Sequence, residues 1–140
     1  MVCRMTTPPQ PPPPGVPPAG FPPPGYANND EKTWALVAHF GGAAGMFIGS
    51  GILGWVAPLI ALVTKGKESP TVRQHAVNAL NFQLTWSIVG LIGLLLVCLV
   101  IGILGILAAV IMGVVFGVIA GVKANEGQLY NYPAAIKMVK

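Results

Sequence analysis

Residues 88–122 read IVGLIGLLLVCLVIGILGILAAVIMGVVFGVIAGV. These 35 residues carry no side chain more polar than Cys98. A helix rises about 1.5 Å per residue, and the hydrocarbon core of a bilayer is about 30 Å thick. With residues 80–87 added, the stretch would make about 64 Å of helix, enough for two crossings. Ser69 is a good N-cap and Pro70 suits the first helical position. The pattern predicts one helix over 71–100 and a second over 105–123, with the break near Gly102–Gly105.

The region before this core is also apolar. Residues 33–64 form a 32-residue run without a formal charge. That is too long for one crossing and short for two. Gly49-Ser50-Gly51 interrupts it and Pro58 weakens its second half. The expectation is a short helical hairpin over 34–48 and 52–64. Residues 133–140 are expected to form a short interfacial helix. The fold class is therefore all-α: a four-helix integral membrane domain over 32–140.

Residues 1–31 read as a disordered Pro/Gly-rich tail. Eleven of the 14 prolines fall in residues 8–25. Proline fixes φ and lacks an amide donor, so this stretch favours polyproline II and builds no core. Pro23-Pro24-Gly25-Tyr26 matches a PPxY pattern, which points to a tether or to a proline-reading partner for residues 8–26. Met5 is an alternative start to Met1.

Only 9% of the chain is charged, against roughly 25% in soluble domains. That excludes an ordinary soluble enzyme. The net charge of +4 comes from eight scattered basic residues that form no stripe, so nucleic acid is not an expected partner. With turns near Gly49–Gly51 and Gly102–Gly105, Arg4, Lys32, Lys65, Lys67, Arg73, Lys123, Lys137 and Lys140 all fall on one side. All four acids join them. The positive-inside rule then places both termini in the cytoplasm of a multi-pass cell-membrane protein.

Several residues invite functional readings. Gln74, Asn78, Asn81 and Thr85, with His75 beside them, form a polar stripe on the third helix. It reads as a pocket or pore wall, or as a source of interhelical hydrogen bonds. Gly105, Ala109, Gly113, Gly117 and Gly121 repeat every four residues on the last helix. Gly41, Gly45 and Gly49 do so on the first. Small residues at this spacing let helix backbones approach closely, within one chain or across a homo-oligomer face. His39 and His75 lack carboxylate or thiolate company, so they read as structural, and no metal or cofactor is expected. Cys98 reads as a buried small hydrophobe. Residues 49–54 formally match GxGxxG without the strand such a site needs. No catalytic set is visible, and a non-enzymatic component of a membrane complex is the leading expectation. Its partners would be the bilayer, another membrane protein or a second copy.

Other residues carry a family resemblance. Trp34 with His39, Pro58 before Lys65-Gly66-Lys67, Ser69-Pro70, and the run from His75 through Asn78, Asn81 and Phe82 to Gln83 make up most of it. Ala124-Asn125-Glu126-Gly127 and Tyr130-Asn131-Tyr132-Pro133 complete it. Together they resemble small bacterial membrane proteins related to the twenty-kilodalton inner-envelope subunit of the chloroplast import translocon, the Tic family. The resemblance spans residues 32–140 and implies a four-helix membrane domain. It also implies an alternative function as a transport or translocation component. Gln128 and Asn131 stand where that family commonly has charged residues.

Overall fold

The computed structural model describes residues 25–140. The proline-rich reading of residues 1–24, with most of its partner motif, lies outside the described residues. Among the described residues the structure is helical, with no strand.

Asn28 caps the first helix, its side chain accepting from the Glu31 amide at 2.8 Å. Asn29–Leu36, Val37–Gly41 and Gly42–Ile48 then run as one rod, α1. Its middle segment is a π-turn that carries His39. Helix α1 ends at the expected Gly49-Ser50-Gly51 turn, where Ser50 and Gly51 both take positive φ. Gly51 (φ 88°) suits this turn because it lacks a Cβ. Helix α2, Leu53–Thr64, is roughly 18 Å long and opens with one 3-10 turn.

Ser69 caps α3, Pro70–Leu95, as expected. Helix α4 is Val100–Asn125. Helices α3 and α4 are long and apolar enough to cross a membrane. The break between them falls at Leu96–Leu99, not at Gly102–Gly105. Gly102 and Gly105 serve instead as close-packing positions against α3. A Cβ on Gly102 would strike the Leu96 carbonyl, and one on Gly105 would stand 3.3 Å from Gly93 Cα. Cys98 lies in this turn and is exposed, which corrects its reading as a buried hydrophobe.

The first hairpin stops short of the second. Its tip at Gly51 abuts Gly90 of α3 and Ala109 of α4. Beyond that level the α3–α4 hairpin projects by roughly 10 Å, at about 1.5 Å per residue. Its projecting side chains are apolar and bare, with Leu95 76% and Val100 78% exposed.

Residues 126–140 are not helical, which corrects the expected interfacial helix. They form an extended strap that turns at Pro133–Ala134, where Ala134 has φ 55°. The start of the described chain meets the base of this strap: a Cβ on Gly25 (φ 89°) would collide with the Gly127 carbonyl. Tyr26 is buried and Asn28 caps a helix that starts at Asn29, so the ordered fold begins before residue 32 and takes in the end of the stretch read as a disordered tail.

Candidate functional site

Helix α3 sorts its polar side chains onto two faces. His75 points into the bundle, and Gln74, Asn78, Asn81 and Thr85 face the strap. The single stripe expected from sequence is therefore two structures.

The inner one is a hydrogen-bonded chain of four aromatic side chains. The π-turn delivers His39, which is fully buried. His39 Nε2 lies 3.1 Å from His75 Nδ1, and His39 Nδ1 lies 2.7 Å from Tyr132 Oη. His75 Nε2 lies 3.4 Å from Tyr26 Oη. Tyr26 Oη donates to the Ala124 carbonyl at 2.6 Å. That last bond sets the direction of the rest, because a hydroxyl has one proton to give. Tyr26 must accept from His75 Nε2–H. His75 Nδ1 is then bare and accepts from His39 Nε2–H. His39 Nδ1 is bare in turn and accepts from the Tyr132 hydroxyl. Both imidazoles are neutral, and every polar ring atom has a partner. Burial, with Glu31 adding to it, pushes the Tyr26 hydroxyl up to about 12. Burial raises the Tyr132 hydroxyl as well, with a contribution from Tyr130. The chain ties the start of the described fold to its C-terminal strap through α1 and α3.

The outer structure is the strap dock. Asn78 Nδ2 donates to the Tyr130 carbonyl. Asn81 Nδ2 donates to the Val139 carbonyl at 2.8 Å, and Asn81 Oδ1 accepts the amides of Met138 (2.8 Å) and Val139 (2.6 Å). Thr85 Oγ1 donates to the Asn81 carbonyl and accepts the Ile136 amide at 3.0 Å. Arg73 donates to the Lys140 carbonyl at 2.8 Å. These bonds explain why residues 136–140 are not a helix: α3 has taken the groups an i,i+4 ladder would use. Tyr132 stacks on Phe82 of α3 with ring centroids 4.2 Å apart. Between strap and helix lies a cavity of about 550 Å³, lined in part by Gln74, Asn78 and Asn81.

Gln83 lies off the polar stripe and sits at the centre of the bundle with no exposure. Its Nε2 reaches the Gly113 carbonyl at 3.4 Å. Its Oε1 has no partner, and neither does the buried Trp86 Nε1. Glycines from three helices make room for the amide. A Cβ would stand 2.9 Å from it at Gly42, 2.5 Å at Gly54 and 3.2 Å at Gly117.

The small-residue stripes face inward within one chain. Gly113 packs on Met46, Gly117 on Ala43, and Gly121 on Phe40, all from α1. Ala109 is buried near Gly51 and Gly90. Gly41, Gly45 and Gly49 instead meet Ala57 and Leu53 of α2. The two stripes thus serve different helix pairs. No group of three or more His, Cys, Asp or Glu side chains stands together among the described residues.

The magnetosome magnetite crystal formation protein family, MamF/MmsF, matches residues 30–139. The chain belongs to that family. The match takes in all four helices and nearly the whole strap, so it overturns the resemblance to the Tic family. The residues that carried that resemblance are structural here. The His75–Gln83 block docks the strap and fills the bundle centre, and Tyr130–Pro133 is the strap's inner arm. Residues of this kind specify packing and do not by themselves name an activity. No curated protein and no solved structure matches the chain. Its MamF/MmsF membership and its two long apolar helices place it at a membrane.

Proposed function

We propose that this chain is a multi-pass component of the magnetosome membrane that acts in magnetite crystal formation as a non-enzymatic member of a membrane assembly. The N-terminal segment and the strap lie on the cytoplasmic face. One observation carries the topology: every Lys, Arg, Asp and Glu on the helices and their connections among the described residues belongs to one end of the bundle, and only the returning strap carries Lys137 further, to the level of Asn81 and Thr85. Lys65 joins the start of α1 to the end of α2, pairing with Asp30 at 3.0 Å and with Glu68 at 2.9 Å. Arg73 joins α3 to the strap, and Tyr26 joins the end of α4. The opposite turns, 49–52 and 96–99, carry no such residue. Positive-inside sorting then favours the cytoplasm for the charged end. This holds whether the first hairpin crosses the bilayer or only enters it, since both ends of the hairpin stay on the charged side.

The non-enzymatic reading is supported by the use made of the buried polar groups. The His–Tyr chain and the strap dock are consumed in internal bonds. The transport alternative loses its main support, because the stripe it needed as a pore wall is covered by the strap.

Isolated magnetosomes carrying Lys140→Cys give the test. A membrane-impermeant maleimide, read by peptide mapping, should label position 140 and leave Cys98 untouched until detergent is added. Labelling of Cys98 alone would invert the topology. Removal of the chain by alkaline carbonate would end the membrane reading. Deleting the gene should change crystal number or size, and unchanged crystals would sink the proposed process.

A further inference from the structure

The cavity between strap and α3 has a chemistry that the strap's own bonds leave unused. Lys137, Lys140, Gln74 and Asn131 line it, and none of their side chains makes a hydrogen bond or ion pair among the described residues. All four bear N–H donors, and two are cations. No Asp or Glu side chain lines the space. The four acids of the described chain are engaged elsewhere: Asp30 and Glu68 on Lys65, Glu126 on Lys123, and Glu31 on the Ala27 amide. Val77 and Leu129 supply an apolar wall. The volume falls within the roughly 300–1,000 Å³ typical of small-ligand pockets.

Position completes the argument. The cavity opens beside Asn78 and Asn81, where α3 passes from its polar first turns to its apolar length. Tyr26 bonds both His75 and Ala124, so in the membrane reading proposed above, on which this inference rests, the Gln74 end of the cavity lies at headgroup depth and its Asn81 end about 9 Å further in, at the start of the acyl region. Basic pockets at headgroup depth attract anionic lipid headgroups. The walls are also preorganised, because Asn78, Asn81 and Thr85 hold both arms of the strap. We propose that this cavity binds the phosphate of an anionic membrane phospholipid. Lys137 and Lys140 provide the charge, and Gln74 and Asn131 the neutral donors. The apolar wall receives the glycerol and the start of an acyl chain.

The full chain, reconstituted in nanodiscs of equal phosphatidylcholine and phosphatidylglycerol, tests this by native mass spectrometry of the lipid retained after release. Phosphatidylglycerol should be retained about fivefold or more over phosphatidylcholine, on the scale of one or two interfacial cations. Lys137→Gln with Lys140→Gln should bring retention near parity, whereas Lys32→Gln with Lys67→Gln should leave it unchanged. Asn131→Asp places a negative charge in the cavity without touching a strap bond, and it should also abolish the preference. It serves as the probe if the double variant does not fold. Parity in the wild type, or equal loss in the Lys32/Lys67 pair, would overturn the site while leaving the membrane reading intact. Full displacement by inorganic phosphate, but not by sodium chloride of equal ionic strength, would assign the cavity to the free anion and overturn the lipid. Failure of the chain to enter nanodiscs would instead bring down the membrane reading beneath it.

Discussion

The two ends of this bundle are stabilised by different physics. At the charged end, side chains meet in defined pairs: Tyr26, His75, His39 and Tyr132 in one chain, and Asn78, Asn81 and Thr85 on the strap in another. At the far end, α3 and α4 touch through Gly93, Gly102 and Gly105, and their Leu, Ile and Val side chains point outward. In water that tip would be a large apolar patch calling for a partner. In lipid it is satisfied by the solvent, and helix contact there depends on close backbone packing. The contrast shows that exposure has opposite meanings along one molecule. In the topology proposed above, an exposed residue near Lys140 meets water, and one on the apolar lengths of α3 and α4 meets hydrocarbon.

The sharpest break in that comparison is a charge on the lipid-facing surface. Leu107 is 51% exposed, and in a soluble protein an exposed Leu tolerates substitution. Here Leu107→Arg should cost about 2.5–3.5 kcal/mol of insertion. The carbonate-resistant fraction should fall by more than about tenfold. An unchanged fraction would mean that this face of α4 does not meet lipid.

A smaller effect is expected at the charged end, where loss is local. Asn81→Leu removes three part-buried bonds to Met138 and Val139, at about 1–3 kcal/mol in total. Amide exchange at Met138 and Val139 should speed up by about ten- to a hundredfold, with α3 and α4 protected as before. Exchange that rises throughout α4 would show that the strap holds up the bundle instead of lying on it.

The mildest probe is titration of Tyr26. Its folded value is raised to about 12, so the neutral hydroxyl is the form the fold prefers. Its contribution to stability is complete below its ordinary value of 10.0 and is lost as pH climbs towards about 12. The tyrosinate absorbance difference between wild type and Tyr26→Phe should have its midpoint near 12 when folded and near 10 in denaturant. A folded midpoint near 10 would detach Tyr26 from His75 and Ala124.

How much was legible follows from the same contrast. The apolar runs, the Gly49–Gly51 turn and the Ser69 cap are local signals, and each appears where expected. The α3–α4 break was misplaced because glycine was read as a helix breaker. Between helices in lipid it acts as a spacer, and Gly102 and Gly105 fit against α3. The strap was misread because nothing in residues 133–140 shows that Asn81 and Thr85 will claim their backbone. Gln83 escapes the stripe because it lies two residues from both Asn81 and Thr85, off their three- and four-residue spacing. The Tic resemblance failed for a related reason: its motifs encode packing, which does not carry an activity with it.

Sequence alone determined the solvent. Long uncharged runs can lower their free energy only in hydrocarbon, and the placement of charge sets which ends stay wet. Tertiary structure alone decided which polar groups meet. A hydrogen bond depends on atoms about 3 Å apart, brought together from positions such as 26, 39, 75 and 132 that share no local pattern. Burial is a sum over composition and survives averaging along the chain, whereas direction and distance exist only after the helices have packed.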